Sequence, residues 1–94
     1  MAQQIKLNIR RDITKLAGNK YGKVIYQTQV RDNINLDEEV VFIIPEQIDR
    51  AASSFVQGFF DDIIKRIGIE GIKTRITFQT SIPNFKQFVI DNLE

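Results

Sequence analysis

The chain has 94 residues, 43% of them hydrophobic and 27% charged, with neither Cys nor His. That length makes one domain, 1–94, of globular rather than disordered composition, and the missing residue types exclude disulfides, thiolate and imidazole metal sites, Cys nucleophiles and His-based triads. The net charge of +1 is unevenly spread: residues 1–31 hold seven basic groups and one acid, and residues 32–94 hold six basic groups and eleven acids. Such asymmetry has two readings, a basic face for nucleic acid or an acidic partner, and two halves whose charges mix on one surface once packed.

Ile5, Leu7 and Ile9 alternate with Lys6, Asn8 and Arg10, which predicts a strand with one buried face. Residues 11–22 read as a connector, with Gly18, Asn19 and Gly22 as turn residues and Ile13 and Leu16 tucked onto the core. Residues 23–34 fit two periods. Val24, Tyr26, Thr28 and Val30 alternate as in a strand, whereas Tyr26, Val30 and Ile34 form a helical stripe. A crossover between parallel strands favours the helix. Val40 to Ile44 is an apolar run rich in β-branched residues, closed by Pro45, and predicts a central strand buried on both faces.

Phe55, Val56, Phe59, Phe60, Ile63, Ile64 and Ile67 make the widest stripe, a helix over 54–67. Ser54 followed by Gln57 has capping-box spacing, Gly68 suits the left-handed position past the end, and Gly58 allows close approach to a strand. Ile72, Thr74, Ile76 and Phe78 alternate as a third strand. Ser81 then caps a last helix with Pro83 in its first turn and Phe85, Phe88, Val89 and Leu93 on its apolar side. The order is β-α-β-α-β-α, an α/β fold with a three- to four-stranded, mostly parallel sheet and about three helices, a fourth strand coming from 11–30. No run nears the ~18–20 apolar residues of a membrane span, and Met1 to Gln4 lacks a charged start ahead of an apolar core. A cytoplasmic protein without membrane contact is expected.

Few constellations carry chemistry. Gly18-Asn19-Lys20-Tyr21-Gly22 reads as a turn rather than a phosphate loop. Asp61 and Asp62, adjacent on a helix, point about 100° apart and do not converge. Arg10, Arg11, Lys15, Lys20 and Lys23, interleaved with Tyr21 and Tyr26, are candidates for a nucleic-acid stripe. No cluster of Asp, Glu, Lys, Ser or Tyr marks a catalytic site. The expectation is no enzyme, no cofactor and no metal.

The segment from Ile48 to Phe60 is different. A buried strand ends at Pro45, a polar loop follows, and Ser53 and Ser54 open a helix. In α/β sheets ligands and partners dock beyond the carboxyl ends of strands. The run Val40 to Ile44 followed by this segment resembles the strand–loop–helix of the STAS-like bacterial domains of unknown function, and Asp12, Ile13, Gly18 and Tyr21 resemble their N-terminal stretch. The wider fold is that of anti-sigma factor antagonists, in which an Asp-Ser-Ser-Gly motif opens the helix and a partner kinase phosphorylates its first Ser. That residue falls on Ser53. Ala52 stands where the motif has Asp and Phe55 where it has Gly, and Gln57 replaces an acidic residue of the STAS-like helix.

The resemblance implies a small STAS-like domain acting as a regulatory protein-binding module. Its partner would be an ATP-binding, histidine-kinase-like regulator, and Ser53 the phosphoacceptor. The expected surface is the loop 46–54, with Gln47, Asp49, Arg50, Ser53 and Ser54 as binding residues. Other outcomes are a nucleic-acid-associated or phage-encoded small binding protein using the basic N-terminal third, and a homo-oligomer formed through exposed strand edges.

Overall fold

Strands that the alternation and the β-branched run predict line up in parallel as the main sheet of a computed structural model, which describes residues 3–94. Met1 and Ala2, part of the stretch read for a leader, lie outside the described residues. The elements are β1 (Gln3–Lys6), β2 (Lys15–Leu16), α1 (Asn19–Ile25), β3 (Val40–Ile43), β4 (Arg50–Ala51), α2 (Ser53–Phe59), α3 (Asp61–Arg75), β5 (Ile76–Gln79) and α4 (Phe85–Leu93). The fold is mixed α/β. Among the described residues the main sheet has the order β1-β3-β5, with Ile5, Phe42 and Phe78 in register. β2 pairs with β4 in a separate parallel ladder, so the 11–30 region adds no fourth strand to the main sheet.

The spatial order repeats the chain order, so both crossovers step the same way. Right-handed crossovers that step the same way leave their helices on one face. The burial pattern agrees. Ile5, Val40, Phe42 and Ile76 are buried on the helix side, whereas Gln4, Lys6, Thr77 and Gln79 are exposed on the other, with Val41 and Ile43 half-buried between them. This corrects the expectation that the central strand is covered on both faces. A β-branched run signals a strand, but the crossover direction decides whether its second face is covered.

The helix side is aromatic. The Phe42 ring lies 5.4 Å from Phe59 and 6.0 Å from Phe78, and Phe78 meets Phe85 edge-on at 4.9 Å, within the range where such pairs add to area burial. Ile13 is half-buried and Leu16 fully buried, so the connector is tucked in as expected.

Several boundaries move. α1 begins at Asn19, earlier than 23, and contains Gly22, which is therefore no turn residue. The reason is contact with α2. A Cβ on Gly22 would lie 2.5 Å from the Phe55 carbonyl oxygen and 2.8 Å from the Phe59 nitrogen. One on Gly58 would fall on the Asn19 carbonyl oxygen and 2.8 Å from its carbon. The two glycines let two helices touch backbone to backbone, so Gly58 makes room for a helix, not a strand. Beyond Ile25 the chain keeps coiling, through a wide turn at Tyr26–Val30 and a tight one at Arg31–Asn33, before Ile34 turns extended.

The long helix is divided. Phe60 (φ −93°, ψ 3°) separates α2 from α3, and Gly68 (φ 69°, ψ 178°) kinks α3 internally. Residues past Gly68 stay helical to Arg75, so Ile72 and Thr74 belong to a helix. The Thr74 hydroxyl donates to the Glu70 carbonyl at 2.8 Å, one turn back. Ile72 and Ile76, four apart and both buried, satisfy a helical stripe as well as an alternation. At the last helix Asn84 (φ 55°) holds the capping position, not Ser81, and Pro83 precedes the helix. Among the described residues no helix is long and apolar enough to cross a membrane.

Candidate functional site

The loop between β3 and α2 is held from three sides. Ile48, fully buried, anchors it, and its N–H donates to the Pro45 carbonyl at 3.0 Å. The β2–β4 ladder ties it to the loop after β1: the Asp49 N–H donates to the Thr14 carbonyl at 3.0 Å and the Ala52 N–H to the Leu16 carbonyl at 2.7 Å. Gln47, half-buried, donates through Nε2 to the Arg10 carbonyl at 3.2 Å. The loop is thus rigidly presented.

The five predicted binding residues separate by role. Asp49 and Arg50 are exposed and 3.4 Å apart as an ion pair. Ser53 is exposed. Gln47 and Ser54 are half-buried, and each has its side chain hydrogen-bonded to a main-chain group. Ala52 caps α2, so Ser53 and Ser54 are its first two helical residues, and the capping box of Ser54 with Gln57 does not form. The carbonyl of Ala52 accepts from both Phe55 and Val56, which starts the helix two residues earlier than a cap at Ser54 would. The Ser54 Oγ accepts the Gly18 N–H at 3.1 Å, across the junction of α1 and α2. Of the two serines, Ser53 offers the accessible hydroxyl.

Beside the loop lies a groove of about 390 Å³, with Asp49, Arg50 and Ala51 on one wall and Ile82, Phe88 and Asp91 on the other. The second wall, from Ile82 before α4 to Asp91 near its end, escaped the sequence reading because it lies some thirty to forty residues downstream and shares no motif with the loop.

A second cleft, about 230 Å³, lies where α1 meets α2 and α3, and Lys23, Gln27, Arg31 and Asp61 line it. At its base the Tyr26 hydroxyl donates to Asp62 Oδ2 at 2.6 Å, and the Arg66 guanidinium stands 3.0 Å from the same oxygen. Burial, then the bond to Asp62 and its charge, push the Tyr26 hydroxyl up to about 12. The hydrogen bond from Tyr26 leads in holding the Asp62 carboxyl below its ordinary value, with Arg66 helping and burial opposing. A phenol held protonated so far above neutrality is a donor, not a base. Asp61 pairs separately with Lys65 at 3.2 Å, so the adjacent carboxylates diverge as helix geometry requires. The helical stripe through Tyr26 was the signal for this pair, but its link to Asp62 is tertiary.

The basic stripe divides too. Tyr26 is buried and Tyr21 packs against Phe55 with ring centres 5.8 Å apart, so Tyr26 offers no stacking surface and Tyr21 only a partial one. Among the described residues only Arg10 of the seven N-terminal cations forms an ion pair, with Asp12 of the same third. Mixing of the two halves' charges therefore does not extend to ion pairs between them. Gly18 to Gly22 opens α1 rather than forming a turn, and its leading N–H is already taken by Ser54. Among the described residues no three His, Cys, Asp or Glu side chains gather as metal ligands.

Comparison with protein-family models, curated proteins and solved structures finds no match.

Proposed function

We propose that this chain is a non-catalytic, STAS-like regulatory module that binds a protein through the loop 46–54. The observation that carries the reading is the presentation of Asp49, Arg50 and Ser53: three exposed polar side chains on a loop pinned by Ile48 and the β2–β4 ladder, beside a groove that Ala51, Ile82 and Phe88 help to line. A rigid loop loses little conformational freedom on binding, so more of its contact energy appears as affinity. A central parallel strand, a polar loop and a serine-led helix in that order support the STAS-like reading. On that reading the partner is an ATP-binding, histidine-kinase-like regulator and Ser53 is the phosphoacceptor.

The test is capture of such a regulator by immobilised chain. Arg50→Ala and Ser53→Ala should each weaken capture while the far-UV circular dichroism stays unchanged, and phosphate transferred by the regulator should map to Ser53 by mass spectrometry. Capture that survives both substitutions places the surface elsewhere.

One observation favours a second reading, a nucleic-acid-associated protein. Lys20, Lys23 and Arg31 are exposed on and just beyond α1 and carry no ion pair among the described residues. Retention on immobilised nucleic acid that falls steeply with salt would support it. No retention at low salt disposes of it.

A further inference from the structure

The main sheet has two edges, and the chain treats them differently. In a parallel ladder alternate residues turn both main-chain groups to the same neighbour. The Gln3 and Leu7 N–H groups donate to Glu39 and Ile43 at 2.9 Å each, so the main-chain groups of Gln4, Lys6 and Asn8 face outward from β1. At Asn8 that edge is closed. The Asn8 N–H donates to Gln29 Oε1 at 2.6 Å, and Gln29 Nε2 donates to the Asn8 carbonyl at 2.8 Å. A side-chain amide there occupies the position of a neighbouring strand's peptide, and Lys6 adds a charge, a usual deterrent to edge pairing.

β5 has neither device. The Ile44 N–H donates to the Gln79 carbonyl at 2.9 Å, so Thr77 and Gln79 face β3 and the main chain of Phe78 faces outward. Ile76–Gln79 contains no charged residue and no Pro. Beyond the edge lies open space of about 610 Å³, bounded by Thr77, Phe78 and Thr80 on one side and Phe85, Lys86 and Ile90 of α4 on the other. Phe78 is only half-buried although its ring packs against the core. Lys86, which borders this space, has its Nζ engaged, donating to the Lys73 carbonyl at 2.8 Å.

We propose that two copies of this chain pair through β5, antiparallel about Phe78, to form one continuous six-stranded sheet. With β1 closed at Asn8 and charged at Lys6, β5 is the edge of the main sheet that carries neither device among the described residues. Pairing through identical edges closes as a two-fold dimer instead of growing into a filament. Centred on Phe78, the pairing sets Thr77 opposite Gln79 of the second copy and opposes no like charges. It brings the two Phe78 side chains together on the helix face, a cross-strand aromatic pair. The second copy is the favoured occupant because this edge complements itself without a charged residue.

Sedimentation velocity of the full chain over a range of concentrations tests the proposal, with hydrogen exchange at the Phe78 amide. Dimer mass at high concentration should fall to monomer on dilution, and protection of the Phe78 N–H should follow it. The Thr77→Lys/Gln79→Lys chain sets lysine opposite lysine at two symmetric places. Its dimer should dissociate about tenfold more readily, since like charges directly opposite destabilise a pair. Both side chains sit on the exposed sheet face, so the fold should persist, as circular dichroism will check. Thr77→Lys/Gln79→Glu should restore the dimer. A monomer at every concentration overturns the proposal, whether or not it binds a foreign extended peptide along β5. A dimer unaffected by the double lysine change overturns it too.

Discussion

Replacing Gly58 by Ala tests the contact that joins α1 to α2. Two terms oppose each other. In a solvated helix, Gly→Ala stabilises by about 1 kcal/mol. Here the new methyl would overlap the Asn19 carbonyl oxygen and stand 2.8 Å from its carbon and 3.0 Å from its Cα, all main-chain atoms that cannot rotate away. Ordinary contact starts near 3.4 Å, so α1 must move off α2. That shift loosens the Tyr21–Phe55 and Tyr26–Phe59 ring contacts and the Gly18–Ser54 hydrogen bond together. Overpacking a tight contact costs about 1–3 kcal/mol, and more when main chain must shift. With the propensity gain subtracted, the expected loss is about 2 kcal/mol. In a domain of this size that lowers the melting temperature by roughly 8–16 °C. Thermal and urea unfolding followed by circular dichroism give both numbers. A Gly58→Ala chain as stable as the parent, or more so, would show that the two helices do not touch at this point.

Three further outcomes are expected. Tyr26 has its hydroxyl raised to about 12 from the ordinary 10.0, so its contribution is complete below pH 10 and is lost as pH rises through 12. The loss approaches about 2–3 kcal/mol. Urea midpoints of the parent should therefore fall more steeply over this range than those of Tyr26→Phe, and parallel curves would refute the assignment. Ser54→Ala leaves the half-buried Gly18 N–H without its acceptor and should cost about 1 kcal/mol in urea unfolding, whereas Ser53→Ala should change stability by under about 0.5 kcal/mol. Equal effects would mean that the two serines do not divide as described. Gln29→Ala uncaps Asn8 and gives the sheet a second open edge, so species larger than a dimer should appear in sedimentation. If none does, the amide is not what closes that edge.

Elements whose periodicity is local can be read directly from the order of residues. Alternation in Ile5 to Ile9 and the apolar run at Val40 to Ile44 identified β1 and β3, because a pleated strand repeats every two residues whatever lies beside it. The aromatic stripe from Phe55 to Ile67 identified the helical mass after β3, though not its break at Phe60, which no residue type announces. Where two periods fit, as at Ile72 to Phe78, only packing chose: Ile72 turns inward as part of a helix, and the strand starts at Ile76. The candidate site was half legible. A polar loop after a buried strand drew attention to Asp49, Arg50 and Ser53, but the groove beside it needs Ile82 and Phe88, and Ser54 spends its hydroxyl on Gly18, far away in the chain. Which sheet face stays open depends on the packed fold, since it follows from both crossovers stepping the same way. So does which edge is capped, since a glutamine on one element must meet the main chain of another, and no local pattern records that meeting.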